Sequence, residues 1–376
     1  MRPILNCVFA FSVLACSTSS APPVPGELSD LPHIQIREQI ASRVHVLRQP
    51  EVTFAGVMGN VAIIEQSDGL VLVDSGNSHG AGVRVVEQVR AISPLPVKAV
   101  IITHWHNDHP LGLSAIMAAW PGVEIISTQR TLEDMRAGRL VGVPREPSQD
   151  YTERRIQQLQ QQIERLAPNA TDPSLSAHER EQWARVLEVT PARYPDQAGT
   201  HVVLPRTTFT QRHMIGDAHA PVEALFLGRA NTDGDAVVWL PRQRILIAGD
   251  AVVAPIPYMF NMYPTDQIAT LERMKAMRPS FIVPGHGEVM RDTTYLDQIN
   301  ALIADAQAQI GPLARQGLTL EEAAARADFS GQRARFTHGD TWLNYWFDQY
   351  ALNPLLDSVH REARGEPLGP PPIPVP

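Results

Sequence analysis

The sequence predicts a mixed α/β fold: two β-rich halves, each followed by helices, packed as a sandwich of two sheets with helices on the outer faces. Three observations carry this. Residues 34–74 and 201–248 are broken into short apolar or alternating runs separated by turn residues, the pattern of strands. After each half the apolar period lengthens to helical spacing, as at Val83, Val86 and Val89. A buried strand at residues 98–103 then runs directly into a cluster of polar side chains.

In chain order, Met1-Arg2 precede an apolar stretch from Ile4 to Ala15, followed by Cys16-Ser17-Thr18 and a Pro-rich segment. This is the pattern of a secretory signal, so export to the periplasm is expected, with residues 1–16 as leader and 17–32 as linker. The stretch is too short to span a bilayer of ~30 Å as a permanent helix. Val13-Leu14-Ala15-Cys16 resembles a lipobox, which would anchor the mature chain to a membrane through Cys16. Leu14 is unusual in its slot, and plain cleavage near Ala15 or Ser17 is the other route. The only cysteines, Cys7 and Cys16, both fall in this segment, so no disulfide, thiolate metal site or cysteine nucleophile is expected in the body of the protein.

Residues 33–290 read as the main domain. Strands are expected at Val44–Leu47, Val61–Glu65 and Leu70–Val73, with Asp68-Gly69 as a hairpin turn. A helix follows up to Pro94, then the strand ending at Thr103, a helix over Leu111–Ala119 and a strand over Val123–Ser127. Residues 149–190 are rich in Gln, Glu and Arg with helical spacing, and read as a helical pair inserted over the site within a longer insertion, about 130–200. Strands return at His201–Leu204, Glu223–Leu227, Ala236–Leu240 and Ile245–Ala248. A helix near Thr265–Met277 and a strand at Phe281–Val283 complete the domain. Residues 291–365 form a helical extension and 366–376 a Pro-rich tail, stiff and extended.

Composition narrows the partners. With 44% hydrophobic and 19% charged residues among 376, the chain can build a sizeable core. Its formal charge is −8 and it has no Lys/Arg-rich run, which argues against nucleic acid. A small-molecule substrate is expected, and the oligomeric state is left open.

The chemistry is concentrated in His104-Trp105-His106-Asn107-Asp108-His109. On a turn leaving a strand, His104 and His106 can point to one side while Asp108 and His109 swing to another, supplying two adjacent metals. Mixed imidazole and carboxylate donors suit zinc ahead of iron or manganese.

This run resembles the HxHxDH motif of the metallo-β-lactamase superfamily, whose fold is an αββα sandwich. Other segments fall in the matching order. Val73-Asp74-Ser75-Gly76 resembles the motif whose Asp supports the histidine loop, Ala248-Gly249-Asp250 the bridging aspartate, and Pro284-Gly285-His286-Gly287 the last histidine. The resemblance implies His104 and His106 at a first metal, Asp108, His109 and His286 at a second, Asp250 between them, and Asp74 behind His109. One segment departs: Gly228-Arg229-Ala230-Asn231-Thr232-Asp233-Gly234-Asp235 carries Asn231 where the family places a histidine. A neutral amide is a weaker donor, so one zinc is expected to bind tightly and a second weakly. His213 and His219 are the substitutes to consider, though each reads as an exposed or strand-edge residue.

The resemblance implies hydrolysis by metal-activated water. Asp108 would orient the nucleophile and pass its proton to the leaving group. The bond is an ester, thioester, lactone or lactam. Asp250 resembles the glyoxalase-like and lactonase-like branches, which lowers the weight of a periplasmic β-lactamase, the first alternative. Trp183, Tyr258 and Tyr263 are candidate substrate contacts. A catalytically silent metal-binding lipoprotein, with Asn231 marking a decayed site, is the second alternative. A structural platform using Trp342, Tyr345, Trp346 and Tyr350 is the third.

Overall fold

Alternation along the strands sorts their side chains into two separate cores. Ala62 and Ile64 face one way and Val61 and Ile63 the other, as Val71 and Val73 oppose Leu70 and Leu72. A sheet apolar on both faces must be covered on both, and a four-layer sandwich does this.

The computed structural model describes residues 36–49, 58–140 and 142–370. The expected leader, Cys16 and the linker, with the end of the tail, lie outside the described residues. The chain runs through β1 (Ile36–Ala41), β2 (Val44–Arg48), β3 (Val61–Glu65), β4 (Leu70–Val73), α1 (His79–Ile92), β5 (Val97–Ile101), α2 (Leu113–Ala119), β6 (Glu124–Thr128) and α3 (Gln129–Ala137). Next come α4 (Gln149–Leu166), α5 (Ala177–Val189) and short 3-10 turns at Pro191–Arg193 and Pro195–Gln197. Then follow β7 (Thr207–Phe209), β8 (Arg212–Ile215), β9 (Val222–Leu225), β10 (Val237–Leu240), β11 (Ile245–Val253), α6 (Pro264–Ala276) and β12 (Phe281–His286). The rest is helical: α7 (Thr294–Arg315), α8 (Leu320–Ala324), α9 (Ser330–Thr337), α10 (Thr341–Trp346), a π-helical turn at Phe347–Leu352 and α11 (Asn353–Ala363).

The first sheet has seven strands in the order β1 to β7, antiparallel up to β4 and parallel from β4 to β7. The second has five, in the order β12-β11-β10-β9-β8, with β11 and β12 parallel. Between them lie Val46, Ala62, Ile64, Val71, Ile101, Val238, Ile245 and Ile247, all buried. Outside the first sheet, α1 packs Val85, Val86 and Val89, and α2 packs Leu113 and Ile116, against Leu47, Ile63, Leu72 and Val100. Outside the second, Leu246, Ala248 and Ile282 meet Leu271 and Met274 of α6 and Leu296, Ile299 and Ile303 of α7. The αββα sandwich is therefore the architecture the sequence pattern predicts.

Two expectations change. His201–Leu204 is not a strand: it has no ladder, Val202 N–H bonds the carbonyl of Pro144, and Val202 packs with Leu111, Met135 and Leu140. The strand of this edge is β7, a few residues on. The helices α4 and α5 do form, but only α4 lies over the site. α5 turns Trp183 against Trp342 and Trp346 of the C-terminal helices, with ring centroids 4.9 and 5.9 Å apart. No described helix is long and apolar enough to cross a membrane.

Candidate metal centre

Strands of both sheets end at one place. Val73 closes β4 and Ile101 closes β5, its parallel neighbour, so the segments leaving them run side by side. Asp74 follows β4 with φ of +62°, a left-handed conformation that Asp tolerates better than most residues. The turn points its carboxylate back at the neighbouring loop. Oδ1 accepts from Thr103 N–H at 2.9 Å, and Oδ2 accepts from Thr103 Oγ1 at 2.8 Å and meets His109 Nδ1 at 2.8 Å. Ser75 Oγ donates to the His109 carbonyl at 2.8 Å. His109 is thus fixed by backbone and ring alike, and with Nδ1 donating to Asp74 the neutral ring would leave Nε2 free to bind a metal.

That Nε2 looks into a cluster of Asp108, His109, Asp250 and His286, whose donor atoms all lie within 4.8 Å of one another. His104, His106 and Asp250 form a second cluster by the same measure. Asp250, on β11, belongs to both. Its Oδ1 is 3.1 Å from His109 Nε2 and 3.4 Å from His286 Nε2, while its Oδ2 is 3.5 Å from His104 Nε2. His104 Nε2 and His106 Nδ1 are 3.0 Å apart, and Asp108 Oδ2 is 2.9 Å from His286 Nε2. The approach of β12 to β11 depends on Gly285, where an added Cβ would fall 1.9 Å from Asp250 Oδ1.

These residues suit a divalent cation. His109 Nε2 and Asp250 Oδ1 are both buried and neither makes a hydrogen bond, although they are close. Buried polar atoms are seldom left this way unless something else binds them. Asn231 adds a third such atom: its Nδ2 donates to the Tyr258 carbonyl at 3.2 Å, leaving the buried Oδ1 without a hydrogen bond. Asn231 lines the same cavity as His106 and Asp250, and its partner Tyr258 has its ring 5.7 Å from that of His106. His213 sits on the edge strand β8 and His219 is exposed; neither joins a cluster among the described residues.

The electrostatics agree. Burial opposes ionisation of Asp250, but His109, His286 and His104 outweigh it and hold the carboxyl well below its usual range. Asp108 is likewise held down, with burial overcome by His109 and His286. Burial also opposes charging of His286, yet Asp250 and Asp108 raise it to about 9. His109 rises well above its usual value against burial, through Asp250, Asp108 and Asp74. His106 differs, pushed down to about 3 by burial and then by His104, which keeps it a neutral donor. The carboxylates therefore draw positive charge to this point, as protons or as a metal ion.

His106, Asp108, Asp250 and His286 of the two clusters line a cavity of about 1240 Å³, with His104 and His109 buried behind them. Of the expected substrate contacts, Tyr258 lines it, its ring 5.7 Å from that of His106. Trp183 and Tyr263 do not. Trp183 is buried in the core of the second helical layer, and Tyr263 packs under Arg229, whose guanidinium carbon is 4.3 Å from the ring centroid. Aromatic area serves a core as well as a pocket. Trp342 and Trp346 are buried, Tyr345 is exposed and Tyr350 reaches the cavity. The pattern did not single out Trp105 or the cationic wall of Arg139, Arg155 and Arg193. Isolated arginines without a motif give no sequence signal.

Comparison with known proteins fits this geometry. The chain is 23% identical over 331 residues to a linear primary-alkylsulfatase of Pseudomonas sp. (strain ATCC 19151), covering 83% of this chain and 58% of that protein. It is 34% identical over 73 residues to a hydroxyacylglutathione hydrolase of Tolumonas auensis, covering 19% of this chain and 27% of the other. The chain thus spans under two thirds of the length of these relatives. Among solved structures, the stereoselective inverting sec-alkylsulfatase Pisa1 from Pseudomonas sp. matches with a TM-score of 0.60 and 17% identity, over 87% of this chain and 50% of that one. The family model of the metallo-beta-lactamase superfamily matches residues 55–286, more than half the chain and all the clustered side chains, so the chain belongs to that superfamily of metal-dependent hydrolases.

Proposed function

We propose that the chain hydrolyses an ester, thioester, lactone or lactam bond of a small molecule, with zinc held by the two clusters. The observation that supports this most is the division of Asp250, one oxygen toward His104 and the other toward His109 and His286, on the floor of a large cavity. His104, His106 and Asp250, with Asn231 as a weak fourth donor, would hold one ion; Asp108, His109, His286 and Asp250 the other. Bound ions supply an acidified water and polarise the scissile bond.

The protein's own groups do the rest. Asp108 is ionised, lines the cavity and is kept in place by His286, so it can orient the attacking water and accept its proton. Asp74 keeps His109 Nδ1 occupied and so directs Nε2 to the cluster. Burial, with Asp108 and Asp250, lifts the Tyr258 hydroxyl above its usual range, so it stays protonated at neutral pH and can donate to substrate. The names of the relatives put sulfate esters beside carboxylic esters among substrates to try.

Metal content and turnover on a panel of lactam, lactone, thioester, carboxylic ester and alkyl sulfate test the reading. Turnover of at least one, lost on chelation, is expected; firmly bound metal with no turnover would favour a silent binding protein instead. Export belongs to the same proposal and rests on residues 1–16. The mass of the mature N terminus from the native host tests it, an intact Met1 in the cytosol counting against it.

A further inference from the structure

The cavity wall facing solvent-side helices carries a charge that the metal centre does not explain. Tyr151, Arg155, Leu159 and Gln162 of α4 all line the cavity, and their spacing puts them on one face of the helix. Beside them Arg193 ends the 3-10 turn after α5 and lines the same cavity. Arg193 is 7% exposed, yet among the described residues its guanidinium makes no hydrogen bond or ion pair. The acid nearest in sequence, Asp196, is already engaged by Arg84 through two bonds of 2.8 and 2.7 Å. Asp108 is engaged by His286. Arg155 adds a second positive charge, and among the described residues its guanidinium donates only to Gln158, at 3.3 Å. Burial, helped by Arg84 and Arg155 and opposed by Asp196 and Asp108, brings Arg193 down to about 10, and it still remains a cation at neutral pH.

A cation in a cavity wall whose nearest acids, Asp196 and Asp108, are hydrogen-bonded or paired elsewhere keeps its own donors available for an anion. The planar fork of arginine matches an oxyanion with two parallel hydrogen bonds. We propose that Arg193, assisted by Arg155, anchors a carboxylate or sulfate group of the substrate. This deepens the reading of the cavity as a hydrolytic site and rests on it. The anchor comes from α4 and the turn after α5, whereas the metal-binding side chains come from the loop after β5, from β11 and from the end of β12. The two can therefore grip different parts of one molecule.

The test is calorimetric binding of hexyl sulfate, hexanoate and the neutral control hexanol to the metal-loaded full chain, as wild type, Arg193→Gln and Arg193→Lys. Affinity of the metals for an anion is common to all three proteins, so the difference between them reports Arg193. We expect Arg193→Gln to weaken one or both anions tenfold or more, ~1.4 kcal/mol, with Arg193→Lys between it and wild type. Loss confined to hexyl sulfate assigns the anchor to sulfate, and loss confined to hexanoate assigns it to carboxylate. Unchanged affinity for both anions, or an equal loss for hexanol, overturns the proposal. Because binding is read without turnover, a protein that hydrolyses nothing would refute the hydrolase and leave this result intact. Conversely, turnover on the panel with no effect of Arg193→Gln would refute the anchor alone.

Discussion

His109 is held at both ends of its ring, with Nδ1 2.8 Å from Asp74 Oδ2 and Nε2 3.1 Å from Asp250 Oδ1. The first contact fixes the ring; the second pairs two atoms that share no hydrogen bond and face a common point. Asp74→Asn keeps a residue that tolerates the left-handed backbone but replaces a carboxylate that orients the imidazole. Metal affinity should fall about 10- to 100-fold in chelator competition, with the circular dichroism spectrum retained. Unchanged affinity would show that Asp74 supports only the loop.

Gly285 tests the bridge by volume. A Cβ there would come within 1.9 Å of Asp250 Oδ1 and 2.7 Å of the Gly249 carbonyl carbon, so Gly285→Ala must displace the shared carboxylate or part the two strands. Lower metal affinity and a lower melting temperature are expected. Gly122→Ala is the control, because nothing lies within 4 Å of its added carbon. Equal behaviour of the two variants would contradict the packing described.

A carboxyl away from the centre gives a pH signature. Burial, and then Asp233, raise Asp134 to about 6, against the opposing pull of Arg130 and Arg139. The folded state therefore holds its proton more tightly than the unfolded state, near 3.8. The stability it contributes is full below that value and is lost as pH rises through about 6. Urea midpoints measured from pH 4 to pH 7 should decline more steeply for wild type than for Asp134→Asn. Parallel curves would refute the assignment.

Asn231 is where the sequence departs from its family. If the Asn231 amide takes the slot where the family motif carries a histidine, the wild type should take up one metal tightly and one weakly. Asn231→His should tighten the weak site, each factor of ten being ~1.4 kcal/mol. Titration of both proteins at a single pH, where proton competition is matched, decides this. Two equally tight metals in wild type would contradict it.

Four of the clustered residues were legible because they sit within six positions, and Asp250 and His286 because their flanking segments resemble the family's motifs. Asp74 was legible only by resemblance, since an Asp after a strand is common. What sequence could not give is direction. Trp183 and Tyr263 read as pocket residues, but which way an aromatic ring turns depends on packing across helices far apart in the chain. His201–Leu204 reads as a strand because it is a short apolar run, yet Val202 packs with Leu111, Met135 and Leu140 and has no partner strand. Arg193 escaped notice because its meaning comes from Asp196 being committed to Arg84, a pairing no local pattern reveals.

If the chain is the hydrolase proposed above, a metal held at Asp250, with Asp108 as the proton acceptor, carries its activity. This is tested most directly by measuring metal content and turnover of the best panel substrate together. Wild type is compared before and after chelation, alongside Asp108→Ala. Firmly bound metal is expected, with turnover that vanishes on its removal and returns with zinc, and a loss of roughly 100-fold or more in Asp108→Ala without unfolding. Undiminished turnover in metal-stripped protein or in Asp108→Ala would contradict it.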